Sequence, residues 1–401
     1  MSTGQLRDLL EAAAGEPPHR VTVAAVRRRA ARRRMLEYVS AAVAAVLLAG
    51  AGIAVAARAT GPAPASSPRM PAGVPRYYVQ QAFRAAPPPT TVVRSRATGA
   101  VTATVRCPWG SAQPATGEIA PASHQTFFMI CQTVTGKGAS SMATGSRIYR
   151  FQLTGSGQIR GYSLVPGGTL ARLSAGNLAA AADGTELAVT ALPAGTAPNS
   201  PAAASIIVIS TRTGARAVWH GSPAVPGKMS FTTGDLSLTA DGHELVYLAT
   251  PRCIRGGCKP TGNGEEVRAL SPATRGGALS SSHLLARQSA LVPLSSGYLD
   301  GAIVSPSGSS VKVLVMNSPG RGPTTVSVVK VPAATGRPLR VLYRVNTGNG
   351  FSFQFFSSDP SGRYLILDTG PTSGTTNGWI DHGRLVTLTP AAGGNVFYEA
   401  W

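Results

Sequence analysis

Acidic residues are the scarcest chemistry in this chain. Asp and Glu number 17 among 401 residues, against 37 Lys and Arg, for a formal charge of +20. Charged residues of both signs make up 13% and aromatics 6%. So few carboxylates leave little material for paired acid–base chemistry, in which two carboxyl groups must lie about 5–10 Å apart. Of the 13 carboxylates after residue 57, Asp183 and Asp241 are accounted for by turns, and Glu265, Glu266 and Asp300 fall near strand starts. Asp300 and Asp368 could meet near a central axis, but nothing marks them as a pair. The histidines (His19, His124, His220, His243, His283 and His382) are far apart, and no H-E-x-x-H occurs. There is no G-x-S-x-G elbow, no phosphate loop, no G-x-G-x-x-G behind a strand and no calcium loop. These absences predict no catalytic, cofactor-binding or metal-ligating residues, and a protein that is not an enzyme.

Cysteine is also rare. Cys107, Cys131, Cys253 and Cys258 all follow residue 57. A metal site would need more soft or imidazole ligands close by. In an oxidising compartment an even count reads as disulfides. Cys253 and Cys258 bracket a short loop, Ile254-Arg255-Gly256-Gly257, and are expected to pair; Cys107 and Cys131 are then the second pair.

Long apolar runs are absent except for one, the uncharged segment Tyr38 to Ala57. Twenty residues at helical rise match a bilayer core of roughly 30 Å. Arg27, Arg28, Arg29, Arg32, Arg33 and Arg34 precede it, and positive charge holds its flank in the cytoplasm. The run is long for a secretory signal, usually about 7–15 apolar residues, and no cysteine follows it for lipidation. Arg33-Arg34 faintly resembles a twin-arginine signal, the main rival to an uncleaved anchor. The expected layout is a cytoplasmic basic stem (1–37), a single transmembrane helix (38–57), a Pro/Ala/Ser linker (58–76) and an extracytoplasmic domain (77–401). The exported part carries 29 basic and 13 acidic residues, a net +16. Its expected partners are the membrane and an extracytoplasmic protein, peptide or anionic envelope polymer. Nucleic acid is not expected, because the basic residues are scattered singly.

From Tyr77 onward the chain repeats. Gly176 to Ala191, Gly234 to Ala249, Gly301 to Met316 and Phe353 to Gly370 each read strand, turn, apolar strand. The turns are Asp183-Gly184, Asp241-Gly242, Ser307-Gly308 and Ser361-Gly362, residues that supply positive φ and a side-chain acceptor. A second hairpin type, with Thr-Gly at its turn, covers Thr91 to Val105, Ser205 to Gly221 and Thr324 to Tyr343. Two hairpins per unit of about 50–60 residues are the signature of propeller blades. The units fall at about 77–122, 123–173, 174–229, 230–290, 291–348 and 349–401, and Tyr77 to Phe83 could add a strand to the last of them. The fold class is therefore all-β, a six-bladed β-propeller behind one transmembrane helix, with seven blades or two β-sandwiches as alternatives. Phe351, Phe353, Phe355 and Phe356 suggest a sugar or peptide platform at first sight. Period-2 alternation would put half of them in the core.

At SPSGSS, TADGHELVYL and DPSGRYLIL the chain resembles the WD40-like, TolB-like β-propeller repeat, with pattern S-P-D-G-x-x-L. Asp183 and Asp241 keep the aspartate; Ser307 and Ser361 replace it. The layout as a whole is similar to membrane-anchored propeller proteins of actinobacteria. That resemblance implies a binding or scaffold role and carries over no functional residues. Two alternatives stand beside it: a signalling protein whose stem docks a regulator such as a sigma factor, and a propeller hydrolase.

Overall fold

Several strands of this chain are apolar on both sides. In Ser205–Ser210, Ile206, Ile207, Val208 and Ile209 are all buried, so alternating side chains must each find a neighbouring layer. A computed structural model shows how. It describes residues 74–83, 90–108, 114–135, 142–196, 203–222, 229–253, 264–273, 276–293, 295–318, 323–346, 355–369, 376–381, 383–387 and 395–400. The stem, the apolar segment 38–57, nearly all of the linker and Cys258 (with it the Cys253–Cys258 pairing) lie outside the described residues. Among those described, no helix is long and apolar enough to cross a membrane.

Six antiparallel sheets follow one another. Blade one holds β1 (Tyr77–Phe83), β2 (Thr90–Ser95) and β3 (Val101–Val105). Blade two is β4 (Pro114–Pro121), β5 (Thr126–Thr135), β6 (Met142–Leu153) and β7 (Ile159–Ala171). Blade three is β8 (Leu173–Ala180), β9 (Glu186–Pro193), β10 (Ser205–Ser210) and β11 (Arg216–His220). Blade four is β12 (Met229–Leu238), β13 (Leu245–Cys253), β14 (Glu266–Leu270) and β16 (His283–Arg287), with the short β15 (Gly276–Ala278) crossing to pair in parallel with β11. A one-turn helix, α1 (Gln288–Leu291), follows. Blade five is β17 (Gly297–Val304), β18 (Ser310–Asn317), β19 (Thr325–Pro332) and β20 (Arg340–Asn346). Blade six is β21 (Phe355–Ser358), β22 (Leu365–Thr369), β23 (Thr376–Asp381) and β24 (Arg384–Thr387). The last strand, β25 (Asn395–Ala400), pairs with β1.

The innermost strands β25, β4, β8, β12, β17 and β21 touch in succession and close a ring of six blades. Six blades are therefore present, rather than seven blades or a pair of sandwiches. Closure runs opposite to expectation. The first blade receives the final strand at its inner edge, whereas the sequence suggested that Tyr77–Phe83 would join the last blade. The first unit accordingly ends at Val105, and Pro114–Pro121 opens blade two as its inner strand.

Each seam between blades holds its own apolar cluster. Ile206 and Val208 face Tyr247 and Leu245 of blade four, while Ile207 and Ile209 face Phe128 and Ile130 of blade two. Turn glycines bring the seams together at one face of the ring. A Cβ on Gly242 would meet Glu186 Cβ at 3.0 Å, on Gly308 Glu244 Oε2 at 2.7 Å, and on Gly362 Pro306 Cδ at 2.7 Å, each on the preceding blade. The Asp-Gly and Ser-Gly turns are thus also the places where one blade sits on the last.

Gly362 has φ 64° and the tight Pro306 contact, whereas Gly195 has φ 73° with nothing within 4 Å. Gly362→Ala is expected to cost about 2–3 kcal/mol, from backbone strain plus overpacking, and Gly195→Ala about 1 kcal/mol, from strain alone. Urea unfolding of the two variants measures the difference; equal costs would show that the seam contact contributes nothing.

Candidate functional site

The turns that join the first and second strands of the blades all lie on one face. In blade three, Asp183 Oδ1 accepts from Thr185 N at 2.9 Å and Thr185 Oγ1 at 2.8 Å. In blade four, Asp241 Oδ1 accepts from His243 N at 3.1 Å and Thr239 Oγ1 at 2.8 Å. Those donors, the backbone one first, hold the Asp241 carboxyl below its ordinary range. In blade five, Ser307 and Ser309 share a hydroxyl contact of 2.9 Å. In blade six the carboxylate moves two residues earlier. Asp359 Oδ1 accepts from Tyr364 N at 2.7 Å, and its Oδ2 from Ser361 N at 3.1 Å and from the Ser361 hydroxyl. Thr239 and Ser305, two residues before the turn's Asp or Ser, accept in the same way from Glu244 N and Ser310 N. The sequence reading missed this acceptor, although T-A-D-G, S-P-S-G and D-P-S-G all display it.

The closing blade interrupts the series. Its inner strand β25 and its second strand β1 are not consecutive in the chain, so no turn joins them there. Among the described residues no turn lies between the blades on either side. A cleft of about 580 Å³ runs there, lined by Ala122, Ser123, His124, Gln125, Ala182, Pro360 and Ser361. It is a shallow depression, open to solvent over most of its extent. Asp359 lies beside it, buried, with His124 Nε2 3.9 Å from its Oδ2 and the His124 side chain about half exposed. A serine, a histidine and a carboxylate therefore converge at one rim. The Ser361 hydroxyl donates to Asp359, so as it stands the serine is held as part of its turn. None of the lining residues is a Lys, Arg, Asp or Glu.

A second group was not singled out from the sequence. The inner strands of blades two, three and four each carry a bulge, at Gly117-Glu118, Gly176-Asn177 and Asp235. Each bulge precedes its turn by the same interval, with Gly before the polar residue. Glu118 accepts from Leu178 N and the Asn177 side chain and lies near Asp235. Burial first, then the Asp235 charge, push its carboxyl well above the ordinary glutamate range against those hydrogen bonds.

Other carboxylates singled out in the sequence are structural. Glu266 pairs with Arg268 at 2.8 Å and approaches Arg287 at 3.9 Å. Glu265 is buried and accepts from Leu299 N, and its backbone N–H donates to Gln288 Oε1 at 2.9 Å, tying blade four to blade five. Asp300 is on the inner strand of blade five; the Asp368 side chain lies outside the description. His220, His243 and His283 are exposed on blades three and four. Of the phenylalanines at 351–356, Phe356 packs in the seam between blades five and six. Cys107 and Cys131 form a disulfide, 24 residues apart in sequence, joining the link after β3 to β5. Among the described residues no group of three or more His, Cys, Asp or Glu is placed to hold a metal ion.

No protein-family model matches this chain, and no curated protein sequence does. Solved structures do resemble it. One is a prolyl endopeptidase, at 14% identity and TM-score 0.37 over 70% of this chain and 43% of that one. Another is a Bacteroides ovatus protein assigned to dipeptidyl aminopeptidase IV, at 7% identity and TM-score 0.37 over 75% of this chain and 50% of that one. A third is a mutant of ACO from Synechocystis, at 11% identity and TM-score 0.42, covering 78% and 70% respectively. The chain spans under half the length of the prolyl endopeptidase. Peptidases among these neighbours stand against the expectation that the chain is not an enzyme. At such identities the likeness describes the fold, and function must be read from this chain's own site.

Glu118 yields a test by pH. A carboxyl whose folded pKa is raised binds more protons folded than unfolded, so stability falls as pH climbs from the unfolded value, about 4.3, toward the raised one. Glu118→Gln is expected to be more stable than the parent at neutral pH and to lose that downward slope, with the two curves meeting near pH 4. Parallel curves in thermal unfolding across pH 4–8 would show that the carboxyl titrates as it does in solvent.

Proposed function

We propose that this propeller takes a short, extended peptide in the turn-face cleft, as the substrate-handling part of a hydrolase. The observation that carries this reading is the cleft itself. It lies beside the closing blade, where no described turn joins β25 to β1, and offers hydrogen-bonding side chains (Ser123, His124, Gln125, Ser361) beside apolar Ala122, Ala182 and Pro360. A neutral lining with donors and acceptors suits peptide backbone better than a phosphate or a carboxylate polymer.

Hydrolysis within the cleft is favoured by one arrangement, the convergence of Ser361, His124 and Asp359. For Ser361 to act as a nucleophile its hydroxyl must leave Asp359 and donate to His124, a rotation a bound substrate would have to drive. Incubating the full-length protein with a panel of labelled peptides separates the readings. His124→Ala and Gln125→Ala are expected to weaken binding several-fold. If the cleft itself cleaves, Ser361→Ala abolishes turnover and leaves binding in place. Peptides that bind every variant as they bind the parent would remove the cleft from consideration.

The compartment belongs to the same proposal: a single-pass anchor over 38–57 with the propeller outside. The Cys107–Cys131 bridge supports it, since such bonds persist in oxidising compartments. Non-reducing peptide mapping of protein from its native host is expected to recover that bridge from a membrane fraction that survives alkaline wash. Free thiols at both positions, or release of a shortened soluble form, would count against the placement.

A further inference from the structure

Blade five carries three cations in one register. Lys312 on β18 lies opposite Lys330 on β19, and Lys330 opposite Arg340 on β20. Directly opposed residues share a face of the sheet, on strands about 4.8 Å apart. This face looks toward blade six: Lys312 Nζ donates to Gly362 O, and Leu314 and Val328, two residues along, belong to that seam.

Equivalent rungs elsewhere are largely apolar. Counting four residues from the turn glycine gives Ala188–Val208–Ala217 in blade three and Val246–Ala269–His283 in blade four. Ala188, Val208, Val246 and Ala269 are buried in seams. Opposed like charges destabilise a sheet, and the one acidic residue of blade five, Asp300, lies on its inner strand β17. The sequence from Gly301 to Ser358 contains no acidic residue. Among the described residues no ion pair involves Lys330, Arg337, Arg340 or Arg344. Burial lowers the Lys312 ammonium; nearby Asp359 works against that and Lys330 adds to it.

Among the described residues no strand pairs with the outer side of the strand that ends this row. β20 is the edge of its sheet. Arg337, Arg340 and Arg344 are exposed, with Leu339 67% and Val341 44% exposed between them. In blade three the same outer edge is already occupied, by β15 lying parallel on β11. An edge in this ring thus accepts a further strand.

We propose that the outer edge of blade five docks an extended acidic polypeptide segment, whose carboxylates neutralise the Lys330–Arg340 end of the row and whose backbone adds to β20. A phosphate polymer would use the charges but not the strand edge, and this is why a polypeptide is the occupant. The mode is strand addition, with main-chain bonds giving affinity and side chains giving selectivity.

The probe is a labelled, capped heptapeptide of alternating Glu and Val, titrated with the full-length protein and followed by fluorescence anisotropy. It is expected to bind at low ionic strength and to be released by salt. The double variant Lys330→Gln, Arg340→Gln should bind it roughly tenfold more weakly, as when two partly desolvated charges are lost. That variant should melt no lower than the parent, since a like-charge contact is relieved, and this separates lost docking from lost folding. The same peptide N-methylated at alternate amides should also bind more weakly. Equal binding to parent and double variant, or equal binding of a Gln-for-Glu peptide, overturns the proposal. Undiminished binding after N-methylation overturns the strand addition. Capture of phosphatidylglycerol vesicles without capture of the peptide replaces the polypeptide with a bilayer.

Discussion

Everything in this ring depends on sheets that are buried on both faces. A lone four-stranded blade would leave both of its apolar sides in water, at about 25 cal/mol for every Å² exposed. Each blade is therefore stable only between two others, and the chain of dependence ends only when the ring closes. Six clusters, one per seam, are the consequence. Trp219, Trp379, Tyr247 and Phe127 are among the largest buried side chains, and all four sit in seams.

Closure then creates the site. A ring made from one chain must join its two ends somewhere, and here β25 and β1 meet as neighbours in one sheet. That blade has no turn where the others do. The cleft lies there, with His124 on one side and Ser361 on the other. Its polar groups are turn residues of ordinary structural use elsewhere in the ring, so the cleft is produced by position more than by unusual residues. The Asp359 carboxylate shows how close the two roles lie, since it closes its own turn and stands beside His124.

Scarcity of acid shapes the electrostatics. With few carboxylates available, several are engaged in structure: Asp183, Asp241 and Asp359 in turns, Glu265 at the joint between blades four and five, Glu266 within blade four and Glu118 on an inner strand. Blade five, with Asp300 as its one acidic residue against Lys312, Arg321, Lys330, Arg337, Arg340 and Arg344, is left with a row of cations in a slot that blades three and four fill largely with small apolar side chains. Where a fold repeats its geometry so closely, a departure in residue type stands out against the other blades.

Much of the architecture was legible in advance, because it rests on local chemistry. Asp-Gly and Ser-Gly at intervals of 58, 66 and 54 residues require turns wherever they occur, and apolar runs on both sides of them require strands, so the blade count followed. The Cys107–Cys131 partnership was reached by elimination once Cys253 and Cys258 were set aside. The joining of the ring was not legible: β1 and β25 are separated by the whole domain, and their pairing depends on how five blades between them accumulate rotation. The cleft is invisible for the same reason, since His124 and Ser361 become neighbours only through that closure. Glu118 and Asp235 left a trace, a glycine before a polar residue at a fixed distance from each turn, but the shift of the Glu118 carboxyl is a property of its burial. The sequence by itself determined the turns, the strands and their repetition, which are set by neighbours along the chain. Only the tertiary structure decided which turns meet beside the closing blade, which carboxyl is held above its ordinary range and which cations line up, because these depend on residues far apart in sequence being brought to within a few ångströms.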